Sequence, residues 1–352
     1  MTDWKTYKLG EVAEIKYGKD HKHLSDGDIP VYGSGGIMRY ADKALYENES
    51  ILIPRKGTLS NLFYVDKPFW SVDTMFYTKI QKEANGKYLY YLLKTMDLAS
   101  MNVGSAVPSL TTEVLNKVEI NLPNLPTQKS VASILSTFDD KIELNLQMNQ
   151  TLEALAQAIF KEWFVKYNFP GFNGKLIDGL PKGWRKGKLN DELEIKYGKD
   201  HRSIGDGNIP VYGSGGIMRY GNKALYENDS ILIPRKGTLS NLFFISKPFW
   251  TVDTMFYSVI KNRFSGKYLF YLLKSLDLAS MNVGSAVPSL TTELLNKIEI
   301  TVPDRKILEH FEKLISSLFE KADSKIEENK SLSKIRDSLL PKLMSGKIEI
   351  KD

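Results

Sequence analysis

The feature that most constrains this 352-residue chain is an internal repeat with an offset of 180 residues. The decapeptide VYGSGGIMRY occupies positions 31–40 and returns at 211–220, and ILIPRKGTLSNLF at 51–63 returns at 231–243. Between positions 11 and 120, about three quarters of the residues match their counterparts without a gap. This period is too long for a solenoid unit, so it indicates a duplicated domain, and each copy is long enough to bury its own core. The copies most simply present two nearly identical surfaces, and duplication without a use for the symmetry is the alternative.

Each copy begins with short apolar stretches that are separated by Gly, Pro, Asn and Asp, a texture typical of short strands and tight turns. In the first copy the stretches are DGDIPVYGSGG, SILIPRKG, LFYV and SVDTMFYTKI. Apolar residues at helical spacing in GKYLYYLLKTMDLASM, residues 86–101, predict one helix. The sequence therefore predicts an α+β fold with a small irregular β-sheet in each globule.

After Pro123 the texture changes, because no Pro or Gly occurs from Thr127 to Lys166 and seam residues recur in alternating steps of four and three. The seam positions are Val131, Leu135, Phe138, Ile142, Asn145, Asn149, Leu152, Ala156 and Ile159. The second copy has Phe311, Ile315, Leu318, Ala322, Lys325, Asn329, Leu332, Arg336 and Leu339. We predict two long helices paired as an antiparallel coiled coil in a pseudo-two-fold symmetric chain. The alternative is two amphipathic helices, each packed on its own globule.

These textures divide the chain into five segments. Residues 1–125 and 184–304 are predicted to be the two globular domains, and 126–168 the central helix. FPGFNGKLIDGLPKG, residues 169–183, is dense in Gly and Pro and is predicted to be the linker. Residues 305–352 are predicted to form the C-terminal helix and tail.

The chain lacks the motifs expected of an enzyme. It has no Cys, which removes disulfides and thiolate chemistry and fits a reducing cytoplasm. His21 and His23 are spaced like metal ligands, but Ser203 replaces the second His in the other copy. GSGG and PRKGT lack the spacing of a phosphate-binding loop, and no Asn/Asp-Pro-Pro-aromatic motif of an amino-methyltransferase occurs. We therefore expect a non-catalytic chain with no cofactor and no metal, without a membrane span or a secretory signal.

What remains is a candidate binding surface. Arg55 and Lys56 precede a turn glycine, and Thr58, Ser60 and Asn61 follow it, which places phosphate-binding cations beside short hydrogen-bonding side chains. The decapeptide adds a glycine-rich loop followed by an arginine. Each piece is weak alone, because most glycine loops are only turns and most Arg-Lys pairs are solvated. The net charge of +6 is compatible with nucleic-acid binding but does not require it.

Taken together, these features resemble the specificity (S) subunit of type I restriction-modification systems over essentially the whole chain. The family's N-terminal pattern is matched by Trp4 and KLG at 8–10, and its restart after the central helix by LPKGW at 180–184. PVYGSGG, RKG and GSAVPSL match its turn motifs, each present twice. The ending RDSLLPKLMSGKIEI is similar to the family's terminal helix. The combination is specific to this family, although each piece alone is not.

The resemblance implies a DNA-reading subunit that leaves catalysis to its partners. Such a subunit recruits two modification subunits, which methylate adenine, and the complete complex adds two restriction (motor-nuclease) subunits. It reads a bipartite double-stranded DNA site, one half per globule, and the paired helices measure the unread spacer. Family members usually carry dissimilar recognition domains, whereas the copies here nearly coincide. We therefore expect a near-palindromic, interrupted target.

The resemblance also guides the choice of contact residues, because motifs shared between specificities suit phosphate contacts better than base reading. We expect DNA-backbone contacts from Arg39, Arg55 and Lys56, and from their counterparts Arg219, Arg235 and Lys236. Candidate base readers are Lys19, His21, Thr58, Ser60 and Asn61, with Lys199, His201, Thr238, Ser240 and Asn241. Exposed apolar positions on the central helix, Phe160, Trp163 and Phe164, are predicted to bind the protein partners.

Two rival functions remain at this stage. The chain could be an S-like interaction protein that sequesters modification subunits without productive DNA recognition. It could also be part of a single-chain restriction-modification enzyme, but the missing methyltransferase motifs argue against that reading.

Overall fold

The structure is a computed structural model that describes residues 4–102, 108–281 and 288–348. Its contacts divide the chain into two compact units. Within the described residues, unit 1 runs to Leu146 and resumes at Ile326, and unit 2 comprises Gln147–Lys325. Each unit therefore combines one globular copy with a segment of each long helix.

Unit 1 begins with a mixed globule of nine short strands among the residues that the structure describes. Its elements are β1 Lys5–Lys8, α1 Leu9–Val12, β2 Ala13–Tyr17, β3 Ile29–Gly33, β4 Gly36–Ala41, β5 Ser50–Pro54, β6 Phe63–Val65, β7 Trp70–Ser71, β8 Met75–Ile80, α2 Gly86–Lys94, a 3₁₀ helix Leu98–Met101, α3 Thr112–Asn116 and β9 Glu119–Leu122. The strands form three sheets, in the orders β2-β8-β5-β6, β4-β3-β7 and β1-β9. All pairs are antiparallel except β3 with β7.

Unit 2 repeats this topology. Its elements are β10 Leu176–Ile177, β11 Leu180–Pro181, β12 Arg185–Lys188, α5 Leu189–Glu192, β13 Leu193–Tyr197, β14 Asp206–Gly213, β15 Gly216–Gly221, β16 Ser230–Pro234, β17 Phe243–Ile245, β18 Trp250–Thr251, β19 Met255–Ile260, α6 Gly266–Ser275, α7 Thr292–Asn296 and β20 Glu299–Val302. The sheets have the orders β13-β19-β16-β17, β15-β14-β18 and β12-β20, and β10 with β11 forms a small hairpin before them. Two mixed globules with small sheets confirm the α+β prediction.

The centre of each globule is a fully buried strand. All five residues of β5, SILIP, are buried, and the same is true of β16. Such a strand reads as a continuous apolar run rather than an alternating one, because both of its faces are covered. In unit 1 the faces are covered by two separate clusters, one around Ile51 and Ile53 and the other around Leu52. The second cluster lies next to the sheet that carries the decapeptide.

The predicted single helix over residues 86–101 is wrong in its extent. Asn85 caps α2 by accepting a hydrogen bond from the Tyr88 N–H, and the helix ends at Lys94. Asp97 then accepts a hydrogen bond from the Ser100 N–H and starts a separate 3₁₀ turn. Short polar side chains that bind nearby backbone groups favour helix ends, so Asp97 starts a second element inside the stretch for which the apolar periodicity predicts one helix.

The long helices are α4, Leu125–Phe160, which a π-helical turn Lys161–Val165 extends, and α8, Arg305–Met344. Every predicted seam position is buried or partly buried. In unit 1, Val131 and Leu135 share a core with Leu340 and Leu343, while the Asn145 side chain donates to Asn329 over 2.8 Å. This order makes the pair antiparallel. The structure combines the two predicted alternatives. Each helix segment packs on a globule, and it also packs on the other long helix.

Candidate nucleic-acid interface

Four turns of each globule meet at one end, and these turns carry most of the predicted DNA-binding residues. In unit 1 the Asn61 side-chain amide donates to the Ser34 carbonyl over 3.0 Å, which joins the turn after β5 to the tip of the β3–β4 hairpin. The Arg55 guanidinium donates to the Asp73 carbonyl over 3.0 Å. The Lys19 N–H donates to the carbonyl at the end of β7 over 2.8 Å. We call this set of turns the turn cluster.

The same turn cluster occurs in unit 2. Asn241 donates to the Ser214 carbonyl and Arg235 to the Asp253 carbonyl, each over 3.0 Å. Lys199 is held by the Thr251 carbonyl at 2.9 Å. The repeat in the sequence is therefore a repeat in the geometry of this surface.

The cations of the turn cluster lie at the surface, and no carboxylate within residues 4–102, 108–281 and 288–348 forms an ion pair with them. In unit 1, Lys19 and Lys56 are exposed, and Arg55 is partly exposed with its guanidinium 5.4 Å from the centre of the Tyr17 ring. Arg235 lies over Tyr197 at the same distance. Stacking on an aromatic ring orients a guanidinium but leaves its outer N–H groups for an anion. The arrangement can bind phosphate, and sequence reasoning missed the tyrosines although both stand directly before the recurring Gly-Lys.

The hydrogen-bonding residues of the turn after β5 divide into two roles. Thr58 and Ser60 are exposed, while Leu59 between them is only 3% exposed and anchors the turn. Asn61 uses its amide within the protein, as described above. The hydroxyls of Thr58 and Ser60, and of Thr238 and Ser240 in unit 2, are thus available for an external partner.

The hairpin tip carries a glycine that the fold itself does not require. Gly36 has a φ of +111°, which favours glycine. Gly35 has no such φ, and a Cβ added there would meet nothing within 4 Å. Gly215 in the second copy is the same. A bare backbone at an exposed tip permits close approach of another molecule.

The arginine of the decapeptide does not project freely from the surface. Arg39 donates to the Leu24 carbonyl over 3.1 Å and to the Asp26 carboxylate over 2.8 Å. Its side chain is 29% exposed. These bonds commit the guanidinium to the loop between β2 and β3, and the phosphate contact of Arg39 stays a prediction.

Arg219 holds the matching loop of unit 2 at more points. It donates to the His201 and Ile204 carbonyls, to the Asp206 carboxylate and to His201 Nδ1, the last over 3.2 Å. Because an arginine N–H can only donate, Nδ1 of His201 is the acceptor of this hydrogen bond. His21 Nδ1 is buried, and no partner for it is found within residues 4–102, 108–281 and 288–348.

A cleft of about 580 Å³ lies beside the unit 2 turn cluster. Its lining includes the loop residues 200–202, the hairpin tip 213–215 and the turn 252–254. Arg202 is 85% exposed and forms hydrogen bonds to both carboxylate oxygens of Asp200. These bonds from the guanidinium lower the pKa of Asp200 to about 2, so the pair stays charged at neutral pH.

The predicted partner surface at the end of the central helix is wrong in its exposure. Phe160 is 4% exposed and Phe164 is 8% exposed, because both pack in the unit 2 core against Tyr268 and Phe311. Trp163 is partly buried, with its ring 5.8 Å from that of Phe311. An apolar helix end gives the same sequence pattern whether it covers a core or a partner.

Some sequence predictions fall outside what the structure describes. The GSAVPSL motif lies at 104–110 and 284–290, and positions up to 107 and 287 are outside the described residues. In the described part of the chain, no group of three or more His, Asp or Glu side chains is placed to hold a metal ion. Within these residues, no helix combines the length and the apolar composition that a membrane span needs.

A family model for the type I restriction modification DNA specificity domain matches residues 1–154 and again residues 181–336. The chain is 27% identical to the type I restriction enzyme MjaIX specificity subunit of Methanocaldococcus jannaschii, over 99% of this chain and 94% of that protein. It is 26% identical to the HindI specificity subunit of Haemophilus influenzae, over 99% and 100% respectively. The crystal structure of a type I restriction-modification S subunit from M. genitalium superposes with a TM-score of 0.68 at 20% identity, covering 99% of this chain and 97% of that one.

Proposed function

Since this chain belongs to the type I restriction-modification DNA specificity family, we propose that it reads a bipartite DNA target through its two turn clusters. Members of this family supply specificity and not catalysis, so the chain is a non-catalytic component. The observation that carries the proposal is the construction of one cationic, hydrogen-bonding surface twice, with the same contacts between its turns. Cations that contact phosphates position a protein on DNA, and short polar side chains read base edges.

We assign the roles within each turn cluster from the exposure of the side chains. Arg55 and Lys56 contact phosphates, and Lys19, Thr58 and Ser60 face base edges. Arg39 positions the loop that it holds rather than contacting DNA itself. Unit 2 uses the corresponding residues, which are Arg235, Lys236, Lys199, Thr238, Ser240 and Arg219. Because the two surfaces are nearly identical, the two half-sites are alike and the target is near-palindromic.

The domain boundaries stay as proposed from the sequence, with residues 1–125 and 184–304 as target-recognition domains. The helices 126–168 and 305–352 act as the spacer, and 169–183 as the linker. The two helices also recruit two modification subunits. The complete cytoplasmic complex contains two restriction subunits as well. Leu144 of unit 1 is 51% exposed and Leu155 of unit 2 is 46% exposed. These apolar side chains of α4 replace Phe160 and Phe164 as candidate partner contacts.

The test is the salt dependence of DNA binding by the complex of the chain with its modification subunit. If Arg55 and Arg235 each neutralise one phosphate, the double variant Arg55→Ala/Arg235→Ala binds more weakly, and its slope of log affinity against log salt falls by roughly two. Lys117→Ala/Lys297→Ala is the matched control, because both lysines are exposed and pair with Glu113 and Glu293 outside the turn clusters. An unchanged slope in the arginine variant would contradict the placement. A complex that forms but shows no sequence-specific DNA binding would instead support sequestration of modification subunits.

A further inference from the structure

The few differences between the two recognition surfaces are gathered in one place. From position 14 to position 63 the copies differ at eight positions, and only Glu49 lies outside the loop 22–28 and the turn 41–42. The differing pairs are Lys22/Arg202, His23/Ser203, Leu24/Ile204, Ser25/Gly205, Asp28/Asn208, Ala41/Gly221, Asp42/Asn222 and Glu49/Asp229. Leu24 and Ala41 are buried, as are their counterparts Ile204 and Gly221, whereas the other differing residues of the loop and the turn are exposed.

The loop and the turn are one surface in space. The Asp42 N–H donates to the Ser25 carbonyl over 3.1 Å, and the Asp42 side chain accepts from the Ser25 N–H over 3.1 Å. In unit 2 the Asn222 N–H donates to the Gly205 carbonyl over 3.0 Å. We call this surface the divergent patch. It adjoins the turn cluster, because residues 19 and 21, which belong to the candidate interface, lead directly into the loop.

The divergence changes the backbone as well as the side chains. Strand β14 begins at Asp206, where it pairs with Gly221, whereas β3 begins at Ile29 and pairs there with Ala41. The β14 strand therefore extends three residues further into the loop than its counterpart does. The loop of unit 2 is also held by Arg219 at His201, Ile204 and Asp206, while Arg39 holds Leu24 and Asp26.

The charge of the divergent patch differs between the copies. Asp28 and Asp42 are exposed carboxylates in unit 1, and Asn208 and Asn222 replace them in unit 2. The unit 2 patch therefore lacks two negative charges that would repel phosphate. It also presents Arg202 on a bidentate pair with Asp200, whereas Lys22 has only its backbone N–H directed to Asp20. A braced guanidinium is suited to a guanine edge, because Arg makes two hydrogen bonds to guanine O6 and N7.

We propose that the divergent patch makes the two half-sites unequal, with Arg202 reading a guanine in the half-site of unit 2 that the half-site of unit 1 does not require. This rests on the proposed function, and it adds which residues break the near-palindrome. The identical turn clusters read what the halves share, and the divergent patch reads the position at which they differ. Arg219 and Arg39 are positioning residues for this readout.

The test makes the two patches identical and maps the recognised sequence. The symmetrised variant gives unit 1 the unit 2 patch through Lys22→Arg, His23→Ser, Leu24→Ile, Ser25→Gly, Asp28→Asn, Ala41→Gly and Asp42→Asn. The matched control moves unit 1 toward unit 2 outside the patch through Val65→Ile, Asp66→Ser, Thr78→Ser and Thr95→Ser. Each chain is expressed with its modification subunit, and methylated sites are mapped across the host DNA.

We expect the natural chain to methylate a target whose two half-sites agree except at the position that Arg202 reads. The symmetrised variant gives the unit 2 half-site twice, and the control gives the natural motif. Arg202→Lys, a single change that leaves the loop backbone intact, lowers the preference for guanine at that position by about tenfold. A natural motif with two identical halves, or a symmetrised variant that keeps the natural motif, would overturn the proposal for the patch. The absence of any methylated motif with the natural chain would overturn the proposed function itself.

Discussion

The two units present the same turn cluster but support it on differently packed helices. In unit 1, Tyr91 donates to the Asp139 carboxylate over 2.5 Å, and Arg336 donates to the same carboxylate. Burial is the main cause that raises the pKa of Tyr91, and the Asp139 carboxylate raises it further. The Tyr91 hydroxyl therefore keeps its proton. This contact between the globule and the long helices is a polar network.

Unit 2 has an aromatic cluster at the corresponding place. Phe319 stands 180 residues after Asp139, and its ring packs edge-on against the rings of Phe244, Phe270 and Tyr271. The Tyr271 hydroxyl donates to Glu153 instead, over 3.0 Å. The contacts between globule and long helix thus differ between the two units, although the turn clusters are the same. The comparison teaches that a packing surface tolerates a change of chemistry if its buried groups find new partners, whereas the cations and hydroxyls of the two turn clusters are the same in both copies.

The largest expected effect is from the aromatic core of unit 2. Phe311 is fully buried against Phe160, Trp163 and Phe164, and its counterpart in unit 1 is Val131. Phe311→Ala is expected to lower the free energy of unfolding of unit 2 by about 4 kcal/mol, because a large cavity is left. Val131→Ala is expected to lower that of unit 1 by about 2 kcal/mol, because it removes fewer buried carbons. Hydrogen exchange resolved by peptide measures each unit separately, and equal losses would contradict the asymmetry of the cores.

A buried ion pair gives the next effect. The Lys267 ammonium lies 2.6 Å from Glu312 with its side chain 7% exposed, and it faces the Phe244 ring. Lys267→Met is expected to destabilise unit 2 by about 3 kcal/mol, because it leaves the Glu312 carboxylate buried without its counter-charge. Denaturant unfolding with peptide-resolved exchange would measure the loss.

The first copy supplies the control for this ion pair. It has Lys87 and Ala132 at the matching positions, and Lys87 is partly exposed over the Tyr64 ring. The double variant Lys267→Met/Glu312→Ala should recover most of the lost stability, because no charge is left buried. Lys87→Met should cost less than about 1 kcal/mol. A double variant as unstable as Lys267→Met would show that lost packing, and not the uncompensated charge, causes the effect.

The sequence predicted those features that depend on local periodicity. Seam positions such as Val131 and Phe311 followed from steps of three and four residues, and strands such as SILIP followed from apolar runs between turn residues. It did not show that Asn145 pairs with Asn329, because that register depends on two segments far apart in the chain. The commitment of Arg39 to a loop carbonyl was also invisible, because it depends on how the loop folds back over the hairpin.

The smallest expected effect is a pH dependence of the stability of unit 2, which arises from the Glu153 carboxyl. Burial acts to raise the pKa of this carboxyl, but hydrogen bonds from Lys274, Gln157 and Tyr271 hold its pKa below the ordinary value of 4.5. A carboxyl whose pKa is lower in the folded state contributes stability above the unfolded pKa and loses it as the pH falls through the folded pKa. The residue 180 positions later is Ser333, which belongs to unit 1 and does not titrate.

Unit 2 should therefore lose up to about 1 kcal/mol through this contact as the pH falls below 4.5, a small value because the Glu153 side chain is 36% exposed. Glu153→Gln keeps a hydrogen-bonding side chain for Tyr271 but removes the titration, so it should flatten this part of the pH profile while lowering stability at neutral pH. Unfolding measured between pH 3 and pH 7 in both chains tests this. If the variant and the natural chain lose stability in parallel over this range, other carboxyls account for the acid sensitivity. The Glu153 contact would then be a difference in geometry between the units, without a difference in their stability at low pH.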